Sequence, residues 1–297
     1  MSLVSSAAEH CKALIRNAWY GRSRVGLLNF PVRCRLPDGS VFLAHGDAMG
    51  WAVFSRRLPL ATKSHEENSQ KFLLRLLIPG MRVIDVGANQ GFYTLLAARR
   101  VGPTGKVFAL EPASTEFEKL QKNVAENGYT NIVSLQTAVG ASEGETEFFL
   151  CLDGRGTFSS RRPAHDLQKV RQVAVRVPIT TLDALCARHG IVACDLIKID
   201  VEGGEREVLR GASHVLSSLR PAIMCELADI RTKAWNYPAR EIYQFLENRG
   251  YDWWRAAADG RLTMTPCQER YDPDWQDLIA IPRERKEELS SSLPELR

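Results

Sequence analysis

The sequence has no apolar run approaching the ~18 residues that cross a bilayer, which excludes a membrane-spanning helix. It is not expected to begin with a signal peptide, because Lys12 and Arg16 interrupt the opening MSLVSSAAEHCKALIRNAWY before an apolar stretch forms. A dominant charge sign is missing as well. Lys and Arg number 39 against 35 Asp and Glu, and the net +4 is too small and too dispersed to point to nucleic acid. There is no CxxC pair. The seven cysteines (Cys11, Cys34, Cys151, Cys186, Cys194, Cys225 and Cys267) are odd in number and stand near no His at metal-ligand spacing. Free thiols in a reducing, cytoplasmic setting are therefore expected. Repeats and low-complexity linkers are also absent, and 44% hydrophobic with 25% charged residues excludes a disordered chain. What remains is 297 residues, enough for one large α/β domain with an extension.

Residues 1–65 read as that extension. A short amphipathic helix is expected near 7–20. Strand-like Pro31–Leu36 and Val41–Ala44 flank Pro37-Asp38-Gly39, where Pro presets φ and Gly accepts φ > 0, so the pair reads as a hairpin. Glu66–Ile78 has helical spacing and stops at Pro79-Gly80. From Met81 compact apolar runs alternate with helical stretches. Val83–Val86, Lys106–Leu110, Ile132–Leu135 with Ala138–Val139, Leu196–Val201 and Ala222–Cys225 are the expected strands. Helices are expected over Phe92–Arg100, Ser114–Asn127, Thr181–His189, Glu205–Ser213 and Ala239–Gly250. Glu145–Cys151 and Val173–Val177 alternate like edge strands. Tyr251–Arg255 and Leu278–Ile281 have no helix between them and are expected to pair antiparallel at one edge. Continuous apolar strands separated by helices imply a parallel sheet covered on both faces. The domain is expected to span 66–282, with 283–297 as a charged, flexible tail.

In such a sheet ligands bind beyond the carboxyl ends of the strands. There stands Asp85-Val86-Gly87-Ala88-Asn89-Gln90-Gly91-Phe92-Tyr93, a strand running through a glycine turn into a helix. Gly87 and Gly91 lack the Cβ that would keep backbone from a ligand, and Asn89 tolerates left-handed geometry. The spacing is D-x-G-x-N-x-G, and Phe92 occupies the place where a dinucleotide turn has its third glycine. A single nucleoside is thus better accommodated than a dinucleotide. Twenty residues beyond Gly91, Glu111 closes the second strand, where an acid can accept both ribose hydroxyl protons.

Asp85–Tyr93, Glu111-Pro112, Thr181-Leu182-Asp183 and above all Ile197-Lys198-Ile199-Asp200-Val201-Glu202-Gly203 resemble the FkbM family of S-adenosylmethionine-dependent methyltransferases, over roughly residues 66–282. The resemblance implies a doubly wound, Rossmann-like sheet of seven mostly parallel strands, the seventh antiparallel. It implies S-adenosyl-L-methionine as cofactor and methyl transfer, usually to oxygen on sugars or polyketides. Carried over, Asp85, Gly87, Asn89 and Gly91, with Phe92 and Tyr93 beside them, hold the methionine part, and Glu111 the ribose. Asp200 is also counted at the cofactor. The family commonly has Asn after strand three, where this chain has Gln136-Thr137-Ala138. Gln136 and Ala138 stand there as the cofactor contacts.

Methyl transfer to an alcohol requires alignment and removal of one proton. Asp200, Glu202, Glu226 at the end of strand five and His165 are the candidate bases. Alternatively Glu202 caps the helix near Glu205 and Glu226 pairs with Arg231. Asp200, Glu202 and Glu226 could gather Mg²⁺, but their spacing does not demand a metal. Leu152–Gln172, carrying Arg155, Arg161 and Arg162, reads as a lid or as a solvated excursion. Trp235, Tyr237, Trp253 and Trp254 suit either sugar stacking or a core. The sequence thus predicts an O-methyltransferase acting on a small-molecule hydroxyl, with no nucleic acid partner. The alternatives are a nicotinamide-dependent oxidoreductase and a catalytically inactive, methyltransferase-like binding protein. Acceptor and oligomeric state stay open.

Overall fold

The computed structural model describes residues 15, 16, 19, 31–55, 65–152, 159–162, 171–271 and 276–297. His165, Arg155 and most of the stretch 7–20 lie outside these residues. The expected hairpin is present as β1 (Val32–Arg35) and β2 (Val41–Ala44), followed by helix α1 (Ala48–Ser55). Helix α2 (His65–Leu76) leads into the main sheet.

Strands β3 (Arg82–Val86), β4 (Lys106–Leu110) and β5 (Ile132–Leu135) pair parallel, linked by helices α3 (Phe92–Val101) and α4 (Ser114–Asn127). Next come β6 (Ala138–Val139), β7 (Gly144–Cys151), β8 (Gln172–Thr180), α5 (Leu182–His189), β9 (Leu196–Ile199), α6 (Glu205–Arg210) and β10 (Ala222–Leu227). A short helix α7 (Asp229–Thr232) and α8 (Arg240–Glu247) precede β11 (Tyr251–Ala256), β12 (Leu262–Met264) and β13 (Gln276–Pro282). The strand order is β12-β11-β13-β10-β9-β3-β4-β5. Strand β13 runs antiparallel to both neighbours, β10 and β11. Order reverses between β3 and β9, so their carboxyl ends open the crevice in which such sheets bind ligands.

The burial pattern explains this arrangement. Every residue of β9 is buried, and β3 and β4 are buried after their first residue, as a sheet covered on both faces requires. One apolar cluster, with Ile197, Ile199 and Leu209, fills one face of the sheet. A second, with Phe72, Leu76 and Val101, fills the other.

Three expectations change. The sheet has an eighth strand, β12, added by a hairpin on β11. Ala138–Val139 does not continue the third strand, but joins β7 and β8 in a separate three-stranded sheet. Finally, 283–297 does not form a free tail. It includes helix α9 (Lys286–Leu289), and Leu289, Leu293 and Leu296 are buried in the second core cluster. Glu295 grips Arg75 through two hydrogen bonds of 2.7 and 2.8 Å. These three leucines stand four and three residues apart, a helical stripe easily overlooked among the charges. No helix among the described residues is long and apolar enough to cross a membrane.

Candidate functional site

The turn after β3 is built from left-handed residues: Gly87 (φ 81°), Asn89 (φ 50°) and Gly91 (φ 89°). A Cβ on Gly87 would stand 1.9 Å from the backbone oxygen of Asp200, and one on Gly91 would stand 2.5 Å from Leu120 Cδ1. The glycines therefore let protein pack on protein, rather than leaving room for a ligand's approach as the sequence suggests. Their consequence is positional. The β3 turn and the loop after β9 are pressed together at the carboxyl edge, with Asp200 N–H donating to Val86 O (3.0 Å).

Glu111 sits under this turn. One carboxylate oxygen accepts from Asn89 N–H and the other from Ala113 N–H, each at 2.8 Å. Burial pushes its pKa up to about 8, against the pull of those two amides and with help from Glu116 and Asp85. A carboxylate oxygen can accept more than one hydrogen bond, so each retains capacity for a hydroxyl donor. Asp85 is also buried, and its pKa is raised by burial, while Lys198 and Thr94 oppose the shift. Thr94 Oγ1 donates to Asp85 Oδ2 (2.6 Å), whereas Oδ1 makes no hydrogen bond. These two carboxylates, one with spare acceptor capacity and one with an orphaned oxygen, fit the ribose hydroxyls and the amino group of S-adenosylmethionine.

Around them the other expected contacts divide. The Phe92 ring is buried and lies edge-on to Phe42 of the hairpin, within a cluster that includes Leu95 and Leu96. It is core. Tyr93 lies beneath the Lys198 ammonium, which stands 4.9 Å from its ring centre. Gln136 is exposed just past β5, and Ala138 is buried in the small sheet.

The acids on the acceptor side converge as expected, but with different partners. Lys198 Nζ is 3.0 Å from Asp200 Oδ2 and 3.9 Å from Asp85 Oδ1. The lysine side chain is 6% exposed and that of Asp200 39%. Glu202, at φ 57°, faces Arg231, whose Nε lies 3.0 Å from Oε2. Arg231 thus pairs with Glu202. Glu202 does not cap the following helix. That helix has no side-chain cap, and Glu205 Oε1 instead braces the loop before it, accepting Val201 N–H and Gly203 N–H at 3.1 Å each. Burial raises Glu205 to about 7. Burial and the facing acids Asp200 and Glu205 push Glu202 up, although Arg231 pulls the other way. Burial first, then Asp200, Glu202, Glu205 and Asp277, push the Glu226 carboxyl well above the ordinary carboxylate range. No group of three or more His, Cys, Asp or Glu among the described residues is arranged to hold a metal.

Sequence reasoning quoted Lys198 without giving it a role. The signal was present, because a lysine between two isoleucines on a wholly buried strand must find charge partners. The aromatic residues separate. Tyr237, Trp253 and Trp254 are buried core, with Trp253 Nε1 donating to Tyr243 O (3.0 Å). Trp235 packs on the loop after β9, where Tyr237 Oη also donates to Gly203 O (2.6 Å). A Cβ on Gly203 or Gly204 would lie 2.9 Å from its ring, and the Arg161 and Arg162 guanidiniums stand 5.4 and 5.5 Å from its centre.

Comparison with known proteins follows the same lines. A family model of the methyltransferase FkbM domain matches residues 85–253. The 31-O-demethyl-FK506 methyltransferase FkbM of Streptomyces tacrolimicus is 28% identical, over 66% of this chain and 81% of that protein. The 2-O-methyltransferase NoeI of Sinorhizobium fredii is 26% identical, over 57% and 72%. Methyltransferase 1 of Beauveria bassiana is 27% identical over 50% of this chain, and the match spans 64% of that protein.

Proposed function

The chain belongs to the FkbM methyltransferase family, and from that membership we propose that it transfers a methyl group from S-adenosylmethionine to a hydroxyl oxygen of a small-molecule acceptor. Membership removes the nicotinamide-dependent alternative. Oxygen as the accepting atom is favoured by the names of two relatives, a 31-O-demethyl-FK506 methyltransferase and a 2-O-methyltransferase.

When bound, S-adenosylmethionine supplies a methyl group on a cationic sulfur, so the leaving group needs no protonation. The chain's own residues then have two tasks, holding the donor and preparing the acceptor. Glu111 would take the ribose hydroxyls and Asp85 Oδ1 the amino group. Asp200 would orient the acceptor hydroxyl and remove its proton. One observation carries this assignment: Asp200 is the acid at the carboxyl edge that is both charge-balanced, by Lys198, and substantially open to solvent. Glu226 is unsuited to the base role because burial and the facing acids disfavour its charged form, and Glu202 because Arg231 occupies it.

The test is methyl uptake, followed by mass shift, across a panel of sugar, polyketide, peptide and RNA-ribose hydroxyls. A product methylated on oxygen supports the reading. Binding of S-adenosylhomocysteine with no transfer to any acceptor would favour an inactive binding protein instead.

A further inference from the structure

Residues ahead of the family domain, which begins at residue 85, reach the cofactor turn through one buried carboxylate. Asp47, at the start of α1, is 6% exposed. Its Oδ2 accepts from Gln90 Nε2 (2.9 Å) and Lys119 Nζ (2.8 Å), and its Oδ1 from Gly50 N–H (2.7 Å). Trp19 Nε1 donates to its backbone oxygen at 3.2 Å. Gln90 is itself buried, and it adjoins Asn89. Its N–H donates to Asn89 Oδ1 (2.9 Å), and Asn89 N–H donates to Glu111 (2.8 Å). A continuous hydrogen-bonded chain therefore runs from Asp47 through Gln90 and Asn89 to Glu111.

Strand β2 reinforces it from the side. Leu43 N–H donates to Asn123 Oδ1 (2.7 Å), and Asn123 Nδ2 donates to Gln90 O (2.8 Å). Val41 exchanges two 2.7 Å bonds with Asn127. Gln90 is thus held at its side-chain amide by α1 and at its carbonyl by the hairpin's partner asparagine.

We propose that the hairpin and α1 are a positioning element of the cofactor site, and that Asp47 fixes the left-handed Asn89–Gly91 turn in the shape that presents Glu111. This rests on the cofactor reading above. Asn89 at φ 50° tolerates this conformation without being confined to it, and Asp47 supplies the outermost restraint.

Calorimetric titration of the full chain with S-adenosylhomocysteine tests this, together with thermal melting and steady-state kinetics on an accepted hydroxyl. Asp47→Leu should raise Kd tenfold or more and raise KM for the cofactor likewise, with kcat at saturation within twofold. Asp47→Asn keeps an oxygen for Gln90 or for Gly50 but not for both, and should bind more weakly than the parent and more tightly than Asp47→Leu. Leu296→Ala, which trims apolar packing outside the hairpin and α1, should lower Tm without moving Kd. Should Asp47→Leu not fold, Gln90→Leu breaks the chain at its next link and should show the same tenfold loss. A parent that binds and an Asp47→Leu or Gln90→Leu protein that binds as tightly as Leu296→Ala would overturn the proposal. A parent that fails to bind would instead overturn the cofactor reading.

Discussion

Lys198 Nζ stands between two carboxylates, 3.0 Å from Asp200 and 3.9 Å from Asp85, and joins the acceptor side of the site to the turn side. The register makes this pairing unavoidable, since Lys198 lies directly opposite Asp85 in the parallel β3–β9 ladder. Burial alone would lower the ammonium's pKa, but Asp200, Asp85 and Asp277 outweigh it and hold the group charged.

Lys198→Met should therefore unfold more readily, because Asp85 would be left buried beside no cation. Breaking a buried pair costs about 3–5 kcal/mol, and the lower end applies here because Asp200 keeps solvent contact. Adding Asp85→Asn to Lys198→Met removes the stranded charge and should recover part of the loss. Urea unfolding of the two variants decides the matter. Equal stability of single and double variants would show that the ion pair is not what the lysine supplies.

For Asp200→Asn the expected outcome is kinetic. The side chain stays nearly isosteric, so S-adenosylhomocysteine should bind within about threefold of the parent. The rate at saturation should fall by about 10²–10⁴, the usual contribution of a positioned base. Glu226→Gln should leave that rate nearly unchanged, because burial and the facing acids already disfavour the charge that the substitution removes. A larger loss for Glu226→Gln than for Asp200→Asn would move the base to strand β10.

The position of the candidate acids is legible in the sequence. Asp85, Glu111 and Asp200 lie at strand ends because apolar runs of four or five residues declare a buried strand and its terminus. Partners were less legible. Arg231 is 29 positions from Glu202, and no local pattern tells a cation which acid it will meet. The eighth strand was missed because Leu262–Met264 is only three residues long, with two of them exposed. Charged residues concealed the packing of 283–297, although its leucines carry the helical spacing. Ala138–Val139 was misplaced because two apolar residues cannot show which sheet they join.

The two glycines of the turn should respond differently to alanine. At Gly87 the new Cβ meets the Asp200 backbone oxygen at 1.9 Å with φ 81°, and neither atom can give way without moving the β9 loop. Gly87→Ala should cost more than about 2 kcal/mol, and should lower both cofactor affinity and maximal rate, since it separates the two halves of the site. At Gly91 the obstacle is Leu120 Cδ1 at 2.5 Å, the end of a flexible side chain. Gly91→Ala should be milder, and the Gly91→Ala/Leu120→Val pair should recover part of its stability. Thermal melts rank the three variants. A Gly91→Ala protein less stable than Gly87→Ala would refute the distinction.

Glu111 gives the site a pH dependence whose direction follows from its environment. Its pKa of about 8 in the folded chain lies above the ordinary 4.5, chiefly because burial disfavours the charge. Such a group contributes stability that is fully present below 4.5 and is lost as pH rises through about 8. Glu205, raised to about 7, adds a smaller contribution of the same sign. Ligand-free protein should accordingly lose stability between these limits, and Glu111→Gln should flatten part of that slope. Cofactor binding should run the opposite way, because ribose hydroxyls donate to the ionised carboxylate. Affinity for S-adenosylhomocysteine should rise by up to about tenfold per pH unit from pH ~6 and level off near pH ~8. Glu111→Gln should bind more weakly and show little pH dependence over the same range. Calorimetric titrations at several pH values on both proteins provide the comparison. An identical pH slope in the parent and in Glu111→Gln would remove Glu111 from the ribose and assign the titration to another group.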